Sequence, residues 1–124
     1  MKGCKYTPYI SVIVKHKKSI KMLESIKSLF GLEKTDYAQL VKDGAIILDV
    51  RSKGEYAGGH IKGSINISVN QLESNLNKFK DKNKPIITCC ASGMRSASAK
   101  SLLKANGYTN VYNGGSWFSL QNKI

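Results

Sequence analysis

The sequence predicts an α/β fold: a central, mostly parallel sheet of four to five short strands with helices on both faces. Three observations predict it. Helix-like and strand-like segments alternate along the chain, the order that parallel crossover units impose. "AIILDV" (45–50) is a continuous apolar run ending in a charge, the pattern of a strand covered on both sides. The chain has 124 residues, enough for one packed core and too few for two.

The elements follow in order. "TDYAQLVKDG" (35–44) opens with an N-cap candidate, Thr35 or Asp36, sets Tyr37, Leu40 and Val41 on one face and stops at Gly44, so a short helix is expected. After the strand at 45–50, glycines punctuate "SKGEYAGGHIKGS", and "INISV" (65–69) reads as a second strand. "QLESNLNKFK" (71–80) spaces Leu72, Leu76 and Phe79 helically, and Pro85 bars the next turn from continuing any helix. "PIITC" is the third strand. "SASAKSLLKANG" (96–107) is an alanine-rich helix with Leu102 and Leu103 near its end and Gly107 as its stop. "TNVYN" is a fourth strand. "GGSWFSLQNKI" is a closing helix whose Trp117, Phe118 and Leu120 are expected to pack on the core.

The net charge of +12 suggests nucleic acid until it is divided along the chain. Residues 1–21 hold six lysines and no acid, leaving fourteen basic against eight acidic residues in the remainder. That remainder lacks arginine clusters and a stripe of stacking aromatics, so it reads as plain surface and no nucleic-acid binding is expected. Residues 1–34 are expected to form a basic, partly disordered extension with a short helix from Met22, and 35–124 the folded domain. Segment 1–21 is either a mobile basic arm or sequence upstream of the natural start. Three cysteines with no CxxC pair make neither a disulfide scaffold nor a structural zinc site the natural reading, and leave a reducing cytoplasm as the default compartment. "YISVIV" (9–14) is too short to span a membrane and lacks a cleavage site, so neither signal peptide nor anchor is expected.

The chemistry gathers in "TCCASGMRSAS" (88–98). "CASGMR" (90–95) falls between a buried strand and the first turn of a helix, where α/β sheets bind ligands. Backbone N–H groups of such a loop, backed by a helix N-terminus, favour an anion. A cysteine at its start has its thiolate stabilised and its pKa drawn below the free value of about 8.5. Gly93 lets the backbone turn, and Arg95 adds a fixed charge and a forked donor. The expected product is a nucleophilic sulfur, reachable from solvent, in an anion cradle.

These residues resemble the single-domain rhodaneses, sulfurtransferases that carry sulfur as a cysteine persulfide. "ILDVRSKGEYAGGHIKGSINI" (47–67) resembles the family's first signature, "CASGMRS" (90–96) its active-site loop, and "GYTNVYNGGSW" (107–117) its closing segment. Lys62 stands where proline is the commoner residue. The resemblance implies the rhodanese-like three-layer fold and a two-step exchange without metal or organic cofactor. Cys90 would take the outer sulfur of thiosulfate or a similar donor and yield it to cyanide or a thiol, including a thioredoxin-like protein. Ala91, Ser92, Gly93, Met94, Arg95 and Ser96 would form the binding loop. A persulfide carrier or docking module for one dedicated partner is the alternative.

A rival lies in the same residues. Counted from Cys89, Arg95 gives C-x5-R followed by serine, which resembles the cradle of cysteine phosphatases and arsenate reductases. Gly93 at the third place after Cys90, Thr88 where those phosphatases usually carry histidine, and the lack of an obvious general acid favour Cys90. Cys89, the last strand residue, is expected in the core as a small apolar group; an adjacent pair would close only a strained disulfide. Arg51 is expected to pair with Glu55, and Asp49 to accept backbone hydrogen bonds at the strand end. His60, in a glycine-flanked turn, resembles the family's structural histidine rather than a base. Ser92 and Ser96 could donate to bound sulfur through their hydroxyls, Ser96 equally serving only the first helical turn. Met94 is expected at the pocket rim. Cys4 and His16 carry no assigned role.

Overall fold

The structure, a computed structural model, describes residues 34–124. The basic segment 1–21, the helix expected from Met22, Cys4 and His16 lie outside the described residues.

Four strands, β1 (Ile46–Asp49), β2 (Ile65–Asn66), β3 (Ile86–Cys90) and β4 (Val111–Ser116), form one sheet in the order β2-β1-β3-β4. Every pairing is parallel, so the α/β class holds with a sheet parallel throughout. All five residues of β3 are buried, as a central strand covered on both faces requires.

Side-chain alternation along the strands divides the core in two. Leu48, Val50, Ile86 and Cys90 face one cluster with Leu72, Phe79, Ala99 and Leu103. Ile47, Ile87 and Cys89 face the other with Ile61 and Leu120, and Tyr37, Leu40 and Val41 pack on it. The second cluster is covered by α1 (Tyr37–Lys42), N-capped by the Asp36 carboxylate, and by α4 (Trp117–Gln121). The first is covered by α3 (Met94–Ala105). Beyond α1, Gly44 takes a φ of +100° that glycine tolerates best.

Five expectations need correction. The glycine-punctuated stretch after β1 contains a one-turn helix, α2 (Lys53–Ala57), held by a reciprocal capping box between Ser52 and Glu55. "INISV" pairs only through Ile65–Asn66, because Val69 already enters a 3₁₀ turn (Val69–Gln71). The next segment is also 3₁₀ (Glu73–Lys78) rather than α. There the Ser74 hydroxyl and Asn75 amide both donate to the Gln71 carbonyl, competing with the backbone donors an α-helix would use. β4 runs past Asn113 to Ser116 with a shifted register: Thr88 pairs with Asn113 but Cys90 with Ser116, a bulge at the glycine pair. Finally, Phe118 is 61% exposed. Leu120 and Trp117 take the inward positions of α4, which turns Phe118 outward.

No described helix is long and apolar enough to cross a membrane.

Candidate active site

β3 ends at Cys90 and α3 begins at Met94, so the chain turns between them at the carboxyl edge of the sheet. Gly93, the N-cap residue of α3, makes the turn with φ +108°. A Cβ there would sit 3.4 Å from the Gly115 Cα, which places the bulge of β4 against the loop.

α3 has no side-chain cap at its N-cap residue. The cysteine sulfur fills that place. Cys90 Sγ accepts the Gly93 N–H at 3.0 Å and the Ser96 N–H, at the third helical position, at 3.4 Å; these belong to the donors that a helix start leaves unpaired. Desolvation by burial pushes the Cys90 thiol up, but the hydrogen bond it shares with the Ser96 side chain and those it accepts from the Ser96, Gly93 and Ser92 backbones outweigh it, and the thiol lies below its ordinary range. Cys89, on the opposite face, is pushed up to about 12, first by burial and then by the Asp49 charge.

The expectation that the sulfur meets solvent needs correction: Cys90 exposes no surface. Ala91, Ser92 and Met94 of the same loop are exposed, Met94 at 79%.

The expected Arg51–Glu55 ion pair does not form, although Arg51 Nη1 donates to the Glu55 carbonyl at 3.3 Å. Arg51 turns back to Asp49, with Nη2 donating at 2.7 Å and the Arg51 backbone N–H at 3.0 Å. Its guanidinium also donates to the Gly59 carbonyl at 2.7 Å and lies over the Trp117 ring, 4.7 Å from the centroid. Glu55 instead takes Arg95 in a bidentate fork, 2.7 and 3.0 Å. That bond and the Ser52 N–H hold the Glu55 carboxyl down at about 2. Arg95 thus offers the loop a charge already shared with a carboxylate. His60 stacks on Tyr56, with ring centroids 3.7 Å apart, and its Nδ1 is 2.8 Å from the Tyr56 carbonyl.

Sequence reasoning missed Asn113. Its side chain bonds Ser96, Gly93 and Gly115, and its carbonyl accepts the Tyr37 hydroxyl at 3.0 Å. The signal was present as an asparagine before two glycines inside a strand, the composition of a bulge. Among the described residues, every buried side-chain nitrogen and oxygen has a partner, and no three His, Cys, Asp or Glu gather as a metal site.

A family model of the rhodanese-like domain matches residues 33–122. The chain is 31% identical to thiosulfate sulfurtransferase GlpE of Pseudomonas fluorescens over 86 residues, covering 68% of this chain and 78% of that protein. It is 39% identical to the uncharacterized protein YqhL of Bacillus subtilis over 69 residues, covering 56% of this chain and 54% of YqhL. It therefore spans about half of that relative, and only 25% of a tRNA uridine(34) hydroxylase from Buchnera aphidicola. Among solved structures, the human single-domain sulfurtransferase TSTD1 is similar with a TM-score of 0.61 at 30% identity, covering 70% of this chain and 89% of that one. A rhodanese with anions from E. coli has a TM-score of 0.58 at 32% identity, covering 61% and 91%.

Proposed function

The chain belongs to the rhodanese-like family, and from that premise we propose that it is a sulfurtransferase carrying sulfane sulfur as a persulfide on Cys90. One observation carries the proposal: the Cys90 sulfur accepts backbone N–H groups from its own loop and from the start of α3, the environment that favours a thiolate. The thiolate attacks the outer sulfur of thiosulfate or a similar donor. The donor's S–S bond breaks and sulfite leaves with the electron pair. An acceptor such as cyanide or a thiol then attacks the outer sulfur, breaking its bond to Sγ and returning Cys90 as a thiolate. Donor, persulfide and sulfite are all anions, so one set of N–H donors serves each in turn.

Because Cys90 exposes no surface, the donor reaches Sγ only when the site opens locally. Ala91, Ser92, Gly93, Met94, Arg95 and Ser96 form the binding loop, and Arg95 binds the donor anion in competition with Glu55. Asp49, Arg51, Glu55 and His60 hold the framework around it. The cycle requires a reduced Cys90, which fits a reducing compartment such as the cytoplasm. The buried Cys89, with its raised pKa, is a poor nucleophile, which speaks against the phosphatase-like count from that residue.

Intact mass after incubation with thiosulfate tests the proposal: one sulfur should be gained, mapped to Cys90, and lost on adding cyanide. A protein that loads no sulfur disproves the persulfide. One that loads a sulfur but releases it to cyanide only slowly is a carrier for a dedicated partner.

A further inference from the structure

The amide of Asn113 has its orientation fixed without reference to the sulfur. Oδ1 accepts the Gly115 N–H at 3.0 Å, and Nδ2 donates to the Gly93 carbonyl at 3.2 Å. Turning the amide over would set donor against donor and acceptor against acceptor. The Ser96 hydroxyl lies 2.6 Å from Oδ1. An amide oxygen can only accept, so the hydroxyl's single proton is committed to that bond. Ser96 therefore presents lone pairs to Cys90 Sγ, 3.5 Å away. A thiol is served by this arrangement, since its S–H donates to Ser96. A thiolate is not.

When Cys90 ionises, the hydroxyl can serve the sulfur only by turning toward it and giving up its bond to Asn113. We infer that Asn113 is a positioning residue acting through the Ser96 hydroxyl: it keeps that oxygen an acceptor while Cys90 is protonated and competes with the sulfur for the proton once Cys90 is ionised. The inference rests on the persulfide reading only in taking Cys90 as the reacting thiol.

Other ionisable groups near Cys90 are Arg95 on α3 with its partner Glu55 on α2, the Asp49–Arg51 pair at the end of β1, and Cys89 on the far face of the sheet. Among the described residues none of them hydrogen-bonds Sγ, whose side-chain partner is Ser96.

The test is the pH midpoint of Cys90 alkylation by iodoacetamide in the full chain, with Cys90 identified by peptide mass. Asn113→Leu keeps the branched outline and removes the competitor; the midpoint should fall by about half a pH unit, the scale of one neutral hydrogen bond. Ser96→Ala should raise it. Adding Asn113→Leu to Ser96→Ala should then change nothing, because the route of action is gone. An unmoved or raised midpoint in Asn113→Leu, or the same fall in both backgrounds, overturns the inference. Should Asn113→Leu not fold, Asn113→Ala serves in the same comparisons. Alkylation needs no sulfur donor, so failure of the inference and failure of the proposed function are read separately: expected midpoints in a chain that loads no sulfur would sink only the latter.

Discussion

Cys89 and Cys90 are consecutive residues of β3 and neither exposes any surface, yet their thiols are displaced in opposite directions. Strand alternation sends Cys89 to the cluster under α1 and α4, among Ile47, Ile61, Ile87 and Leu120. Cys90 faces the side where α3 begins, and there its sulfur meets the Gly93 and Ser96 N–H groups. Both are buried, so burial alone does not decide reactivity. The donors at the end of the strand do.

The largest effect that can break this comparison is on turnover. Cys90→Ser should lower thiosulfate:cyanide transfer at least about a thousand-fold, as loss of a covalent nucleophile does, while Cys89→Ser keeps most of it. The converse outcome, with aryl phosphate or arsenate chemistry lost in Cys89→Ser alone, would reverse the assignment.

The Cys89 face can also be disturbed by itself. A Cβ on Gly114 would lie 2.9 Å from both Ile87 Cγ2 and Leu120 Cδ2, and 3.0 Å from the Thr88 carbonyl oxygen. Gly114→Ala should therefore destabilise the fold by about 1–3 kcal/mol in denaturant unfolding, the usual range for overpacking. The clashing atoms belong to Ile87, Leu120 and Thr88, none of which bonds Sγ, so the Cys90 alkylation midpoint should move less than in Asn113→Leu. If it moves with stability, the two faces are not separable.

Smaller shifts should separate the thiols by pH. In the native protein Cys90 should alkylate with a midpoint below that of a free thiol, about 8.5, and Cys89 only after unfolding. Linkage gives each a sign. With its folded pKa depressed, Cys90 adds stability above the unfolded thiol value, lost as pH falls through the folded one. With its folded pKa raised from 9.0 to about 12, Cys89 contributes stability below 9.0 that disappears between those values. Unfolding measured across pH 7 to 11 in Cys89→Ala and Cys90→Ala variants should lose one limb each.

The smallest effect belongs to Glu55→Gln. Its carboxyl is held at about 2, so its contribution to stability is present above its ordinary 4.5 and fades as pH falls toward 2. The variant should flatten that acid limb slightly and, by releasing Arg95, lower the KM for thiosulfate more than it alters kcat. A KM unchanged by the substitution would remove Arg95 from donor binding.

Much of this architecture was legible because its signals are local. Apolar runs marked β1 and β3, Asp36 and Gly44 bracketed α1, and the alanine-rich run ending at Gly107 marked α3. The CASGMR loop was legible for the same reason: its glycine, arginine and cysteine sit within one turn. What escaped depended on distant partners. Arg51 and Glu55 are four residues apart and look like a pair, but the capping box ties Glu55 to Ser52, and Arg51 reaches Asp49 and Gly59 instead. Asn113 gains its meaning only when the bulge of β4 brings it against a loop some twenty residues away in sequence. The 3₁₀ winding of Glu73–Lys78 turned on serine and asparagine side chains competing for a carbonyl, an outcome that apolar spacing does not encode.

A helix that begins on a sulfur atom ties its own first turn to the oxidation state of that atom. Alkylation of Cys90 would leave the amide protons only a neutral thioether, a weak acceptor, so it should fray the backbone at 93–96 and quicken hydrogen exchange there. A spent molecule would carry a local structural mark, readable by whatever surveys exposed chain ends and loosened loops.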